Sequence, residues 1–73
     1  MNAPFRNSAL SADLALDAAA EAAAIAESYA RAAQEFASVG DHRGLAYALR
    51  CASKAILSAN EAALLGSPNF GGV

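Results

Sequence analysis

The chain has 73 residues, of which 56% are hydrophobic, and it carries a net charge of −2. Alanine accounts for 22 residues, whereas Leu, Ile, Val and Phe together number 15, so the apolar fraction consists largely of methyl groups. This length allows one small domain, which seldom gains more than ~3–5 kcal/mol from its own core. Because a single cysteine excludes an internal disulfide, we expect a partner chain, either a second copy or a different protein, to complete the structure.

The N-terminal residues contain two helix-breaking types, Pro4 and Asn7, and we predict a flexible arm over residues 1–9. They lack the apolar stretch of a signal peptide. Together with the lone thiol, this leads us to expect a cytoplasmic protein without a membrane span. From residue 10 to residue 39 the chain has no Pro or Gly and is dominated by alanine, the best helix former. A first helix is therefore predicted over about residues 10–39.

A two-residue signal separates this helix from the next one. Gly40 suits the left-handed conformation that closes many helices, and Asp41 is a good N-cap for a helix that follows. So short a turn fits only an antiparallel arrangement of the two helices.

The second helix is predicted over about residues 42–65, because Gly66 and Pro68 are stop signals in the expected order. A flexible C-terminal tail is predicted over residues 66–73. The chain as a whole is therefore predicted to be all-α, with an alanine-rich antiparallel helical hairpin over residues 10–65.

Apolar residues in both predicted helices step by three and four, which is the spacing of a coiled-coil seam. Alanine at these positions lets the helix axes approach closely. Because such small side chains bury little area, we expect the hairpin to complete a four-helix bundle, by dimerising or by docking on a partner. The predicted seam is Ala15, Ala18, Ala22, Ile25, Tyr29, Ala32, Phe36 and Val39 in the first helix and Leu45, Leu49, Ala52, Ile56, Ala59 and Ala63 in the second.

The segment around the turn carries a combination of residues found in a known family. These residues are Phe36, the pair Gly40-Asp41, the pair Arg43-Gly44, and the run Ala46-Tyr47-Ala48-Leu49. With them, residues 29–56 resemble the turn between consecutive helices of tetratricopeptide (TPR) repeats. The resemblance implies a helical hairpin that binds other proteins. A repeat of that family has 34 residues and two short helices, whereas the first helix predicted here is longer.

Residue types that carry catalysis are few and far apart in this chain. Nucleophilic catalysis needs a Cys or Ser beside a histidine, but Cys51 lies more than two helical turns from His42, the only histidine. The acidic residues Asp13, Asp17 and Glu21 step by four and resemble a divalent-ion site, but negative charge near a helix N-terminus also suits the helix dipole. We predict that the chain is not an enzyme and holds no cofactor and no metal.

The outer face of the second helix carries the candidate partner-binding residues Arg43, Tyr47, Arg50 and Lys54, which fall on one side at 100° per residue. The first helix is acidic, so the two outer faces carry opposite charge. Three interpretations remain open. The basic face is solvated, or it binds an acidic protein surface such as the first helix of another copy, or it contacts phosphate or nucleic acid with Tyr47 stacked on a base. Three cations make a small patch for nucleic acid.

These patterns predict a non-catalytic protein-binding hairpin that acts as a self-associating adaptor or a small accessory subunit. The alternative is a small inhibitor protein that blocks a larger enzyme or nucleic-acid-processing complex by occupying its surface. The expected partner is a protein, either the second copy in a homodimer or a larger protein, rather than nucleic acid or a membrane.

Overall fold

A computed structural model describes the backbone of residues 4–66 and the side chains of residues 12–66. It contains two helices, α1 (Pro4–Ser38) and α2 (His42–Leu65), which pack against each other along their length. The predicted all-α helical hairpin is therefore confirmed for this part of the chain. Its completion to a four-helix bundle stays a prediction.

The start of α1 differs from the prediction. The sequence predicted a flexible arm over residues 1–9, but α1 already begins at Pro4. A proline in the first turn of a helix is tolerated because its missing N–H would have no intrahelical acceptor there, and its fixed φ suits the helix. Pro4 therefore begins the helix instead of breaking it. Residues 1–3 lie outside the described part of the chain.

The end of α2 agrees with the prediction. The helix has the predicted bounds, and the Gly66 N–H donates to the Ala62 carbonyl oxygen at 3.1 Å. The rest of the predicted flexible tail, residues 67–73, lies outside the described residues.

The turn between the helices is built from backbone hydrogen bonds and one side-chain cap. Gly40 has a φ of 73°, its N–H donates to the Ala37 carbonyl at 3.1 Å, and the Asp41 N–H donates to the Phe36 carbonyl at 2.9 Å. These two bonds form a Schellman motif, which satisfies the last carbonyls of α1. The Asp41 carboxylate then accepts a hydrogen bond from the Gly44 N–H at 2.9 Å and caps α2. The predicted roles of Gly40 in ending α1 and of Asp41 in capping α2 are therefore confirmed.

The seam between the helices repeats every seven residues, with two inward positions, a and d, in each heptad. Every residue in these positions is buried or half-buried. In α1 they are Ala12, Ala19, Ala26 and Ala33 at a and Ala15, Ala22, Tyr29 and Phe36 at d. In α2 they are Leu45, Ala52, Ala59 and Gly66 at a and Ala48, Ala55 and Ala62 at d.

The predicted seam had the correct period, but one of its two rows in each helix is wrong. The d row of α1 and the a row of α2 lie in the seam as predicted. The other predicted rows lie beside it, where Ile25 is 46% exposed, Leu49 49% and Ile56 56%. Most inward positions carry alanine, which lets the helices approach closely, and the larger inward residues Tyr29, Phe36 and Leu45 lie toward the turn. The displaced positions are Ala18, Ile25, Ala32 and Val39 in α1 and Leu49, Ile56 and Ala63 in α2.

The hairpin is a single layer with a small core. Its Cα extents are 58 × 24 × 12 Å, and the buried hydrophobic residues in the described part are Ala26, Ala33 and Ala48. Ten larger hydrophobic side chains of the same part are 46% to 76% exposed. The hairpin therefore leaves much apolar surface without a covering layer.

Candidate interaction surfaces

The seam separates two long sides of the hairpin. In an antiparallel pair of helices, the g positions, which precede each a, flank the seam on one side, and the e positions, which follow each d, flank it on the other. Ile25 of α1 and Cys51 and Ser58 of α2 are g positions, and all three line one groove. The e positions of both helices therefore lie together on the opposite side.

The first side, which we call the groove face, holds an open groove of about 320 Å³. Its floor is formed by seam alanines, and Tyr29 and Ile25 supply the apolar wall. Cys51, Lys54 and Ser58 add a thiol, an amine and a hydroxyl. A typical small-molecule site is an enclosed cavity with several convergent polar groups, whereas this groove is open to solvent.

An aromatic pair marks the turn end of the groove face. The rings of Tyr29 and Tyr47 meet edge to face, with centroids 6.4 Å apart and an interplanar angle of 78°. The adjacent Cys51 thiol, and to a smaller degree Tyr29, raise the pKa of the Tyr47 hydroxyl above its ordinary value of 10.0. The phenol is therefore neutral and remains a hydrogen-bond donor at physiological pH. Tyr47 is 53% exposed, so this donor is accessible to a partner.

The four predicted partner-binding residues are all exposed, as the sequence implied. The structure divides them into two pairs. Tyr47 and Lys54 stand at the edge of the groove face, whereas Arg43 and Arg50 lie farther around α2, on its outer surface. Between residues 12 and 66 the ion pair observed is the exposed contact of an α1 arginine with a glutamate one turn away, at 3.2 Å. The three cations of α2 are therefore available to carboxylates of a partner.

The second side, which we call the apolar face, was not predicted from the sequence. Its e positions are all exposed and all uncharged. The signal that identifies it is an apolar residue at every e position from Leu16 to Ala37 in α1 and from Leu49 to Ala63 in α2, which becomes visible only when the a and d rows are known. The preceding e position of α2 is His42, next to the turn. The apolar face consists of Leu16, Ala23, Ala30 and Ala37 of α1 and Leu49, Ile56 and Ala63 of α2.

Side chains that could bind a metal ion are scattered over the described part of the chain. Within it, no three His, Cys, Asp or Glu side chains come together in a way that could hold a metal ion. Asp13, Asp17 and Glu21, which sequence spacing placed on one face, are exposed to solvent. Neither described helix combines the length and the apolar character required to cross a membrane.

Comparisons with known proteins assign no family. No family model, no curated protein and no solved structure matches this chain. The resemblance of residues 29–56 to a TPR turn stays a prediction, and the function is argued from the two faces of the hairpin.

Proposed function

We propose that this chain is a non-catalytic protein-binding hairpin that acts as a self-associating adaptor or a small accessory subunit. The observation that supports the proposal most strongly is the placement of its large apolar side chains. The seam consists mostly of alanine, whereas ten larger hydrophobic residues of the described part are exposed, from Ile25 at 46% to Val39 at 76%. Isolated exposed leucines are normal on protein surfaces, but contiguous apolar faces mark interaction sites.

The energetics of a lone hairpin support the same proposal. Each buried CH₂ contributes about 0.8 kcal/mol, while ordering each residue costs about 1.5 kcal/mol of conformational free energy. An alanine side chain contributes one methyl group, so the seam alone offsets little of that cost. A second protein layer would bury the exposed leucines and isoleucines and supply the missing apolar area.

The charge distribution supports a protein partner over a nucleic acid. Between residues 12 and 39, α1 has five carboxylates against Arg31, and α2 has three cations against Glu61. Each helix therefore favours a partner surface of opposite sign, and the net charge of −2 opposes general attraction to a polyanion.

The proposal is tested by measuring the molecular mass and the thermal stability of the chain under the same conditions. Sedimentation equilibrium and circular-dichroism melting are measured over a hundredfold range of chain concentration, with and without a larger candidate protein. We expect either a concentration-dependent mass and melting temperature, which indicates self-association, or a monomer that is stabilised on docking. A monomer that unfolds cooperatively at every concentration, and that keeps its stability when exposed leucines are replaced by serine, would contradict the proposal.

A further inference from the structure

The two sides of the hairpin differ in how well they suit a second layer of protein. On the groove face, α1 contributes the apolar g positions Ala18, Ile25, Ala32 and Val39. The g row of α2 combines Gly44 and Leu65 with the polar Cys51 and Ser58, and the Lys54 side chain also lines the groove. On the apolar face, both helices contribute hydrophobic residues alone, and none of the seven is charged. The apolar face is therefore the side from which water can be removed without burying an ammonium group or an unpaired polar side chain.

The large and small residues of the apolar face alternate in a regular way. Two contacts show which residues of α1 and α2 stand at the same height along the hairpin. Phe36 lies against Gly44 near the turn, and Ala15 lies against Gly66 at the open end. Counting in opposite directions from these contacts places Leu49 level with residues 31–32 of α1, so the nearest residue of the apolar face on that helix is Ala30. In the same way, the nearest residue to Ile56 is Ala23 and the nearest to Leu16 is Ala63, so each large side chain has a small neighbour on the other helix.

This alternation is self-complementary. We propose, building on the proposed function, that the apolar face binds a second copy of this chain. The two copies are related by a two-fold axis parallel to the helices, so that α1 of each copy packs on α2 of the other. That operation places Leu49 and Ile56 of one copy over Ala30 and Ala23 of the other, large side chains over small ones, in the manner of knobs and holes. An isologous contact of this kind closes on itself as a dimer.

The charges of the helices favour a two-fold axis parallel to the helices over one perpendicular to them. A two-fold axis perpendicular to the helices would stack α1 on α1, where Asp13 and Glu27 border the apolar face in both copies. The parallel axis instead places Glu27 beside α2, level with the uncharged Ser53 and about one turn from Arg50. Like charges across an interface are unfavourable, so the arrangement of acidic α1 on basic α2 is preferred.

The exposure of the large side chains agrees with an interface on this face. Leu16, Leu49 and Ile56 are 58%, 49% and 56% exposed in the single hairpin. Contact with a second copy would remove this apolar area from water, and a standard protein interface buries about 800 Å² on each partner.

The test compares two double variants with matched chemistry. Leu49→Ser/Ile56→Ser removes one leucine and one isoleucine from the apolar face, at 49% and 56% exposure. Ile25→Ser/Leu57→Ser removes the same pair of residue types away from it, at 46% and 58% exposure. By sedimentation equilibrium of the full chain, we expect the first variant to raise the dimer dissociation constant by about a hundredfold or more and the second to change it little.

The possible results separate this inference from the proposed function. A dimer that resists the first variant and is lost in the second overturns the apolar face as the interface, while self-association stands. A wild-type chain that stays monomeric at all concentrations overturns the inference, and a larger protein that stabilises this monomer would still support the proposed function.

The axis is tested separately by cross-linking in a Cys51→Ala background. Chains carrying Glu27→Cys are mixed with chains carrying Ser53→Cys, and a short thiol-specific cross-linker is added. These two positions lie at opposite outer edges of one hairpin but adjoin each other across the proposed dimer. We expect mass spectrometry to show mixed cross-linked pairs in excess over like pairs. An excess of like pairs overturns the parallel axis.

Discussion

The half of the hairpin next to the turn and the half at the open end are held together by different kinds of contact. Next to the turn, Phe36 covers Gly44 and Tyr29 meets Tyr47 edge to face. Toward the open end, the seam consists of alanine methyl groups and ends where Gly66 lies against Ala15. Of the three buried alanines, Ala33 and Ala48 lie in the half next to the turn, and Ala26 lies near the middle of the seam.

This difference shows where the stability of a single layer originates. The conformational cost of ordering a residue is similar along both helices, but the apolar area that offsets it is concentrated near the turn. The half next to the turn therefore tolerates separation from a partner better than the open half. Three predictions test this contrast, beginning with the largest expected effect.

Ala48→Leu is expected to destabilise the hairpin by ~1–3 kcal/mol, because Ala48 is 0% exposed and the added atoms force the helices apart. Urea unfolding followed by circular dichroism measures this loss. The matched control is Ala59→Leu, which places the same side chain at a half-buried seam position toward the open end. A smaller loss is expected there, because the open half can separate locally. Equal losses of unfolding free energy in the two variants would contradict the proposed difference between the half next to the turn and the open half.

Gly44→Ala is expected to destabilise the hairpin, although alanine is a better helix former than glycine by about 1 kcal/mol. A Cβ at this position would lie 2.6 Å from Cγ and Cε1 of Phe36, so the ring must leave its place. In a Phe36→Ala background the same substitution should become stabilising, because the obstructing ring is absent. Thermal unfolding of the four proteins of this cycle measures the sign. An unchanged sign would show that Phe36 does not determine the effect.

The smallest expected effect concerns the ionisation of Tyr47. In a Tyr29→Phe variant, Tyr47 is the sole tyrosine, and its phenolate absorbance should have a midpoint above pH 10 because of the Cys51 thiol. Since the raised pKa belongs to the folded state, folding favours the neutral phenol, and this contribution is lost as pH rises past 10 and through the folded pKa. Adding Cys51→Ala should lower the midpoint. A midpoint that does not respond to this second substitution would contradict the assigned cause.

The sequence was sufficient to predict the helices and the turn, because those depend on local preferences. Gly40 adopts the left-handed conformation expected of it, and Asp41 accepts the capping hydrogen bond. The start of α1 was misplaced because a proline that breaks a helix interior is harmless in its first turn. The exposure of Arg43, Arg50 and Lys54 was also predicted correctly, since charged side chains avoid a seam made of methyl groups.

The sequence did not determine how each helix is rotated about its own axis, and therefore which of its faces points into the seam. α1 has apolar residues at a, d, e and g alike, so its periodicity does not select one face. The prediction placed Ile25, Leu49 and Ile56 in the seam because they step by three and four with other apolar residues. In the structure, a neighbouring row made mostly of alanine takes those inward positions, and the three residues lie beside the seam. The groove beside Cys51 and the tyrosine pair depend on this rotation and were missed with it.

Because the seam contacts are stronger near the turn than at the open end, the hairpin opens in one direction when it is pulled apart. A pulling force applied between Ala15 and Gly66 acts first on contacts between single methyl groups, which separate one helical turn at a time, about 5.4 Å of axis length each. The opening then reaches the Tyr29–Tyr47 pair and finally the ring of Phe36 on Gly44. The hairpin therefore opens as a zipper whose resistance rises toward the turn, and its closed end acts as the anchor from which the two helices can pair again.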